Sequence, residues 1–138
     1  MSDHVVQMAS DNDQFYFVKD DGSLWCWGTG GMCYGLGGPI AQGNPGPMSI
    51  GGTPLTGIAE VASAGTYYLS LRRTNGDVEF LRSYGGITLT PRVTDARKIA
   101  GGYFQTCALK NDDSVYCWDF DGYGANLTTP TRMTFATP

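Results

Sequence analysis

The sequence is poor in charge. Asp, Glu, Lys and Arg make up 16% of its 138 residues, and the net charge is −4. Lys and Arg are scattered, with Arg72-Arg73 the densest pair, so the basic patch of a nucleic-acid binder is missing. There is one histidine, His4, near the terminus. That excludes histidine-based nucleophilic triads and multi-histidine metal sites. No apolar run approaches the roughly 18 residues of a membrane span. The opening Met1-Ser2-Asp3-His4 is polar and acidic, without the basic and apolar regions of a secretory leader. Four cysteines, at 26, 33, 107 and 117, are too few for a fold built from disulfides. These absences predict no nucleic acid, no membrane, no metal and no cofactor, and leave an enzyme with weak support.

Glycine and aromatics are the excess: 20 Gly, 8 Tyr, 6 Phe and 3 Trp. Many turn formers and large flat side chains with few charges predict an all-β chain. The sequence repeats itself three times. The first unit runs Val5-Val6-Gln7-Met8-Ala9-Ser10, then Phe15 to Gly28. The second runs Ile58 to Gly65, then Leu69 to Leu81. The third runs Arg97 to Gly102, then Thr106 to Trp118. Leu24, Val78 and Val115 align, 54 and 37 residues apart, with a one-residue slip in the second unit before its turn. Each unit reads as a strand, a step, a second strand, a polar turn and a third strand. Asp20-Asp21-Gly22 and Asn75-Gly76-Asp77 are hairpin turns, because Asn, Asp and Gly tolerate positive φ. Asp112-Asp113 has no glycine and predicts a longer turn. The repeats span about 4–57, 58–96 and 97–138 of one domain. The first is longer because of residues 35–57, whose 8 Gly and 4 Pro predict a long surface loop, either functional or an inconsequential insertion.

The third unit carries Ile99-Ala100-Gly101-Gly102-Tyr103, Cys107-Ala108-Leu109-Lys110-Asn111-Asp112, Ser114-Val115-Tyr116-Cys117-Trp118 and Gly122-Tyr123-Gly124. This resembles the repeat of the regulator-of-chromosome-condensation family. The first unit matches through Lys19 to Gly28, and the second through Leu69-Ser70-Leu71 and Asn75-Gly76-Asp77-Val78. The resemblance implies one β-propeller blade per unit. It departs from the family at the histidine often found two residues after the glycine pair, where Gln14, Tyr67 and Phe104 lie nearby. It departs again at Phe80-Leu81-Arg82, where Trp-Gly is expected. The family includes nucleotide exchange on a small GTPase, chromatin binding and β-lactamase inhibition, so the fold alone does not choose a function.

Propellers usually close with four to eight blades, and three leave the first and last blades uncovered. Two chains head to tail would make a six-bladed ring, which predicts a homodimer. The stretch Thr131-Arg132-Met133-Thr134-Phe135 resembles a lead-in to a further repeat, and Val5 to Ala9 resembles the strand it would feed. A fragment of a longer propeller and closure by another partner are the alternatives.

Cys107 and Cys117 oppose each other across the third unit's hairpin, with Leu109 and Val115 in the same register, a spacing that can accept a disulfide. Cys26 occupies the equivalent place to Cys117, but faces Tyr16. It is left with Cys33 as a bonding candidate, or both are half-buried thiols. A bridge at Cys107–Cys117 predicts secretion, and its absence the cytoplasm. Asp11-Asn12-Asp13 and Asp119-Phe120-Asp121-Gly122 lack the oxygen ladder of a calcium loop and read as turns. Trp25, Trp27, Trp118, Tyr116 and Phe80 read as blade packing. A second aromatic set follows each first strand: Phe15-Tyr16, Tyr67-Tyr68 and Tyr103-Phe104. The propeller reading places these steps at one face, with one residue of each pair belonging to the core as the alternative. Asp13, Gln14, Tyr67, Tyr68, Tyr103 and Phe104 are therefore the candidate binding residues, with Gln105 beside them. The function predicted is a non-enzymatic module that recognises a protein partner, an enzyme inhibitor being one form. A carbohydrate-binding lectin that recognises a glycan as an oligomeric propeller is the alternative.

Overall fold

A computed structural model describes residues 3–35, 43–119 and 129–138. Strands β1 (Val5–Ser10), β2 (Gln14–Lys19) and β3 (Leu24–Gly28) come first. A five-residue helix α1 (Gly31–Gly35) follows, and then β4 (Gly46–Pro47). The four strands form one antiparallel sheet in chain order, the first blade. A small hairpin, β5 (Ser49–Ile50) and β6 (Thr53–Pro54), leads out of it. The second blade is β7 (Ile58–Ser63), β8 (Tyr68–Arg73), β9 (Val78–Arg82) and β10 (Thr88–Val93). The third is β11 (Ala96–Gly102), β12 (Gln105–Lys110), β13 (Val115–Asp119) and β14 (Thr131–Arg132). The all-β, propeller-type expectation is met. No helix among the described residues is long and apolar enough to cross a membrane.

Each blade has a fourth, outer strand that the three-strand reading overlooked. Its signals are weak because β4 and β14 have two residues each and β10 contains Pro91. An outer strand needs only one ladder, so proline is tolerated there. Residues 35–57 are also more than a surface loop. Residues 36–42 lie outside the described residues, but the second half docks on the first blade. Met48 and Leu55 are buried. The Met48 N–H donates to Leu24 O at 2.8 Å, and the Leu24 N–H donates to Leu55 O at 3.1 Å. Two apolar anchors thus hold the β5–β6 hairpin against β3.

The three hairpin turns are built alike. The N–H groups of Gly22, Gly76 and Asp113 donate back to the carbonyls of Lys19, Arg73 and Lys110. Asp113 stands at φ 65°, where Gly22 has 79° and Gly76 has 91°. The third turn is therefore not longer, as its missing glycine suggested. Aspartate itself adopts the left-handed conformation. Asp21, Asn75 and Asp112 each accept the backbone N–H two residues on, at 2.9, 3.0 and 3.0 Å. Hydrogen bonds from the hydroxyl and then the N–H of Ser23 hold the Asp21 carboxyl below its ordinary range. Ser114 does the same for Asp112.

Alternation along the strands supplies the core. One cluster joins the first two blades through Tyr16, Val18, Leu24, Leu69, Leu71 and Leu81. A second joins the second and third through Tyr68, Val78, Phe80, Ile99, Ala108 and Trp118. Phe80 and Trp118 pack as blade residues, and Trp25 and Tyr116 are half-buried. Trp27 is exposed instead, tilted on Phe15 at 5.9 Å, with its Nε1–H donating to Gly43 O at 2.9 Å. The motif Gly122-Tyr123-Gly124 and the run Phe120-Asp121-Gly122 lie outside the described residues.

No strand ladder crosses between the described blades. Their first strands approach closely instead, and a Cβ added at Gly101 would collide with the carbonyl oxygen of Ser63 on the neighbouring blade. Gly101→Ala is expected to lower stability by about 1–3 kcal/mol, the usual cost of overpacking, read by denaturant unfolding. The turn carboxylates give a second prediction. Their folded pKa values lie below the unfolded ones, so their stabilisation is complete above the unfolded value, near about 3.9. It is lost as pH falls through the lowered folded values. By NMR titration, Ser114→Ala should raise the Asp112 midpoint toward the ordinary carboxylate range and leave that of Asp21 unchanged.

Candidate functional site

Every first strand runs into a loop at the same end of its blade, opposite the hairpin turns, because the second strand carries the chain back. Residues 11–13, 64–67 and 103–104 therefore share one end of the molecule. Between these loops lies a cleft of about 240 Å³ lined by Asp11, Asn12, Ser63, Thr66, Gly101 and Tyr103, among others. Among the described residues, no lysine or arginine lines it.

Gln14 fixes this end. It is fully buried. Its Oε1 accepts the Cys33 N–H at 2.7 Å, and its Nε2 donates to Thr66 O at 3.0 Å and to Asp11 Oδ2 at 3.0 Å. One amide thus ties the first blade's loop to α1 and to the second blade's loop. Asp11 Oδ2 also accepts from the Tyr16 hydroxyl at 3.3 Å and from Ser63 Oγ at 3.4 Å. Burial, followed by the charge of Asp11, pushes the Tyr16 phenol well up from its ordinary value. Tyr16 therefore stays protonated and donates.

The predicted binding residues divide. Tyr103 is 77% exposed, Tyr67 is 40% exposed, and Asp13 is exposed too. Phe104 is half-buried at φ 64°, its N–H donating to Ala64 O at 3.1 Å. A bulky residue rarely takes that conformation. Here it turns the chain so that the Tyr103 ring lies 4.1 Å from that of Phe104. Gln14 and Tyr68 are corrections. Gln14 faces inward as the bolt just described. Tyr68 is buried, stacked on Phe80 at 5.8 Å. Tyr67 ends the loop, whereas Tyr68 opens β8, whose first four residues are all buried. Gln105 is exposed.

Tyr84 is a surface aromatic that the sequence reading missed. It is exposed, and its ring meets that of Tyr67 at 5.5 Å. The signal was an aromatic before Gly85-Gly86, hidden because β10 was not recognised beyond it. On its other side the Tyr67 ring lies against Gly31 of α1, where a Cβ would collide with it.

Both cysteine pairs are bonded. Cys107 and Cys117 are directly opposed on β12 and β13, with Cα atoms 4.1 Å apart. Cys26 and Cys33 tie β3 to α1 at a Cα separation of 5.7 Å, so the reading of two free thiols does not hold. His4 lies at the turn end, exposed beside Asp20 at 3.4 Å.

No protein-family model and no curated protein matches the chain. Solved structures do. Human WBSCR16 is similar at TM-score 0.69 and 21% identity, over 96% of this chain and 39% of that one. Yeast RCC1 (Prp20), solved with Kap60 bound, is similar at 0.62 and 19%, over 96% and 36%. Prp20p from Saccharomyces cerevisiae, described with its binding to Gsp1p and histones, is similar at 0.61 and 18%, over 96% and 39%. The chain shares the fold of RCC1-like propellers and spans about two fifths of the length of these structures.

Gln14→Ala should strip partners from the Cys33 N–H and Thr66 O. The expected loss is about 1–3 kcal/mol for each buried group left unpaired, measured by chemical denaturation. Unchanged stability would remove Gln14 from its fixing role.

Proposed function

We propose that the chain is a non-enzymatic module that binds a protein partner through the loop end of its blades. The observation that carries this reading is the cluster of exposed aromatics there. Tyr67 and Tyr84 touch across 5.5 Å, Tyr103 stands on Phe104, and Asp13 is exposed in the first blade's loop at the same end. Tyr and Phe give large contact area at low ordering cost, and such residues dominate protein-binding hot spots. The cluster rests on a rigid base: α1 under Tyr67, the Gln14 amide, and the Cys26–Cys33 bond. The net charge of −4 and a cleft lining with Asp11 but no base favour a neutral or basic partner surface. The yeast propeller of the same fold is described with Kap60, Gsp1p and histones, which are protein partners. An inhibitor that covers an enzyme's site is one form this binding takes. Two disulfides fit an oxidising compartment.

A photocrosslinking residue at position 103 should capture a protein partner, while the same residue at position 75, in a turn at the opposite end, should not. Calorimetry with that partner should then show Tyr103→Ala losing about 2 kcal/mol or more of affinity with the melting temperature unchanged. Tyr68→Ala should instead lose roughly 3–5 kcal/mol of stability, as a core aromatic does. Equal capture from both ends, or undiminished affinity of Tyr103→Ala, rejects the site. A specific glycan on an array, bound in a Tyr103-dependent way, replaces the protein reading with the lectin one.

A further inference from the structure

Two joints between blades are described, and they follow one plan. Each first strand carries a bulge, between Val5 and Gln7 in β1 and between Ile58 and Glu60 in β7. The residue just after the bulge reaches forward to the next blade. Gln7 Oε1 accepts the Val61 N–H at 3.0 Å, and its Nε2 donates to Val61 O at 2.9 Å. Glu60 Oε2 accepts the Ile99 N–H at 3.1 Å while holding Arg72 Nε at 2.9 Å. Beside each clamp a turn glycine offers its carbonyl. Gly22 O accepts the Ile58 N–H and Gly76 O accepts the Ala96 N–H, both at 2.9 Å. The joint therefore requires a side-chain acceptor at the clamp and a backbone acceptor at the turn.

In β11 the same bulge lies between Ala96 and Lys98. Lys98 thus occupies the clamp position of the third blade. An ammonium donates hydrogen bonds and accepts none. It reaches back instead, to Glu60 Oε1 at 3.6 Å. The receiving residue of a joint is the one after the clamp position, Val61 in β7 and Ile99 in β11. In β1 it is Met8, by the common register opposite Phe17, Leu71 and Ala108. Met8 is 67% exposed, and Val5 and Val6 beside it are exposed as well. A second copy docked head to tail would bring Lys98 against the Met8 N–H, donor against donor. It would bury an unpaired N–H and desolvate a charge.

We propose that Lys98 prevents the third blade of this chain from docking on the first blade of a second copy. The open side of β1 is a docking surface for a repeat of different sequence that carries glutamine or glutamate at the clamp position. The repetition of one joint chemistry at two places defines what the third must supply. This revises the two-copy ring expected from the repeat count.

The Lys98 side chain is 71% exposed, and when it is replaced the buried Glu60 keeps Arg72 as its partner at 2.9 Å, so the joint between the second and third blades survives the substitution. Sedimentation velocity at matched concentrations should find the unaltered chain and Lys98→Met monomeric, and Lys98→Gln at dimer mass. Lys98→Met separates loss of charge from gain of an acceptor. A second measurement tests the docking surface directly. Isotope-labelled unaltered chain is mixed with unlabelled Lys98→Gln chain, which supplies a third blade with an acceptor. The Met8 amide should become protected from hydrogen exchange in that mixture, and remain unprotected with unlabelled unaltered chain. A dimeric unaltered chain, a monomeric Lys98→Gln, dimerisation of Lys98→Met to the same extent, or an unprotected Met8 amide in the mixture would each overturn the proposal.

Discussion

The structure depends on how one sheet is made to adhere to the next without a shared ladder. Within a blade, strand pairing satisfies the backbone. Between blades the free edges of the first strands must be met by something else, or their N–H groups stay unpaired as they leave water. Gln7 and Glu60 meet that need from the side, and turn carbonyls meet it from the end. Glu60 carries a charge into a buried place, and Arg72 and Lys98 offset it. Breaking such a pair on one side costs more than the pair contributes, because the surviving charge is stranded. Blade spacing is tied to the same joints. The bare Gly101 lets the third blade close against Ser63, near enough for Glu60 to reach Ile99.

Much of this architecture was legible in the chain because it is local. Alternation, the two glycine-bearing hairpin turns and the opposed cysteines all act over a few residues. The fourth strands were not legible, since a two-residue edge strand and a proline-bearing one look like loops. The Asp113 turn was misjudged by counting glycines, when a short polar side chain reaches the same conformation. The blade joints span 54 and 39 residues of sequence and use ordinary residues, so no pattern announces them.

The loop end shows the same division. That aromatics cluster there followed from their place in each repeat. Which of two adjacent residues faces out did not, because burial does not alternate at the start of β8, where four residues in a row are buried. Tyr68 and Gln14 were assigned to the surface and belong inside. Gln14 still contributes to the site as its support, since the loops bearing Asp13 and Tyr67 converge on its amide through Asp11 and Thr66. Tyr84 joins the surface through a strand connection that only the full four-stranded blade reveals.

The Cys26–Cys33 bond has a consequence for where such a surface can operate. The first two sheets are held by ladders and apolar packing that no reductant touches, while the Cys107–Cys117 bond also crosses the third. The small helix beneath Tyr67 is fastened to its sheet through sulfur. Ladders and sulfur bonds thus answer to different chemistry. A compartment rich in thiols would leave the strand ladders paired while opening the cross-link in the third sheet and loosening the helix on which Tyr67 is set.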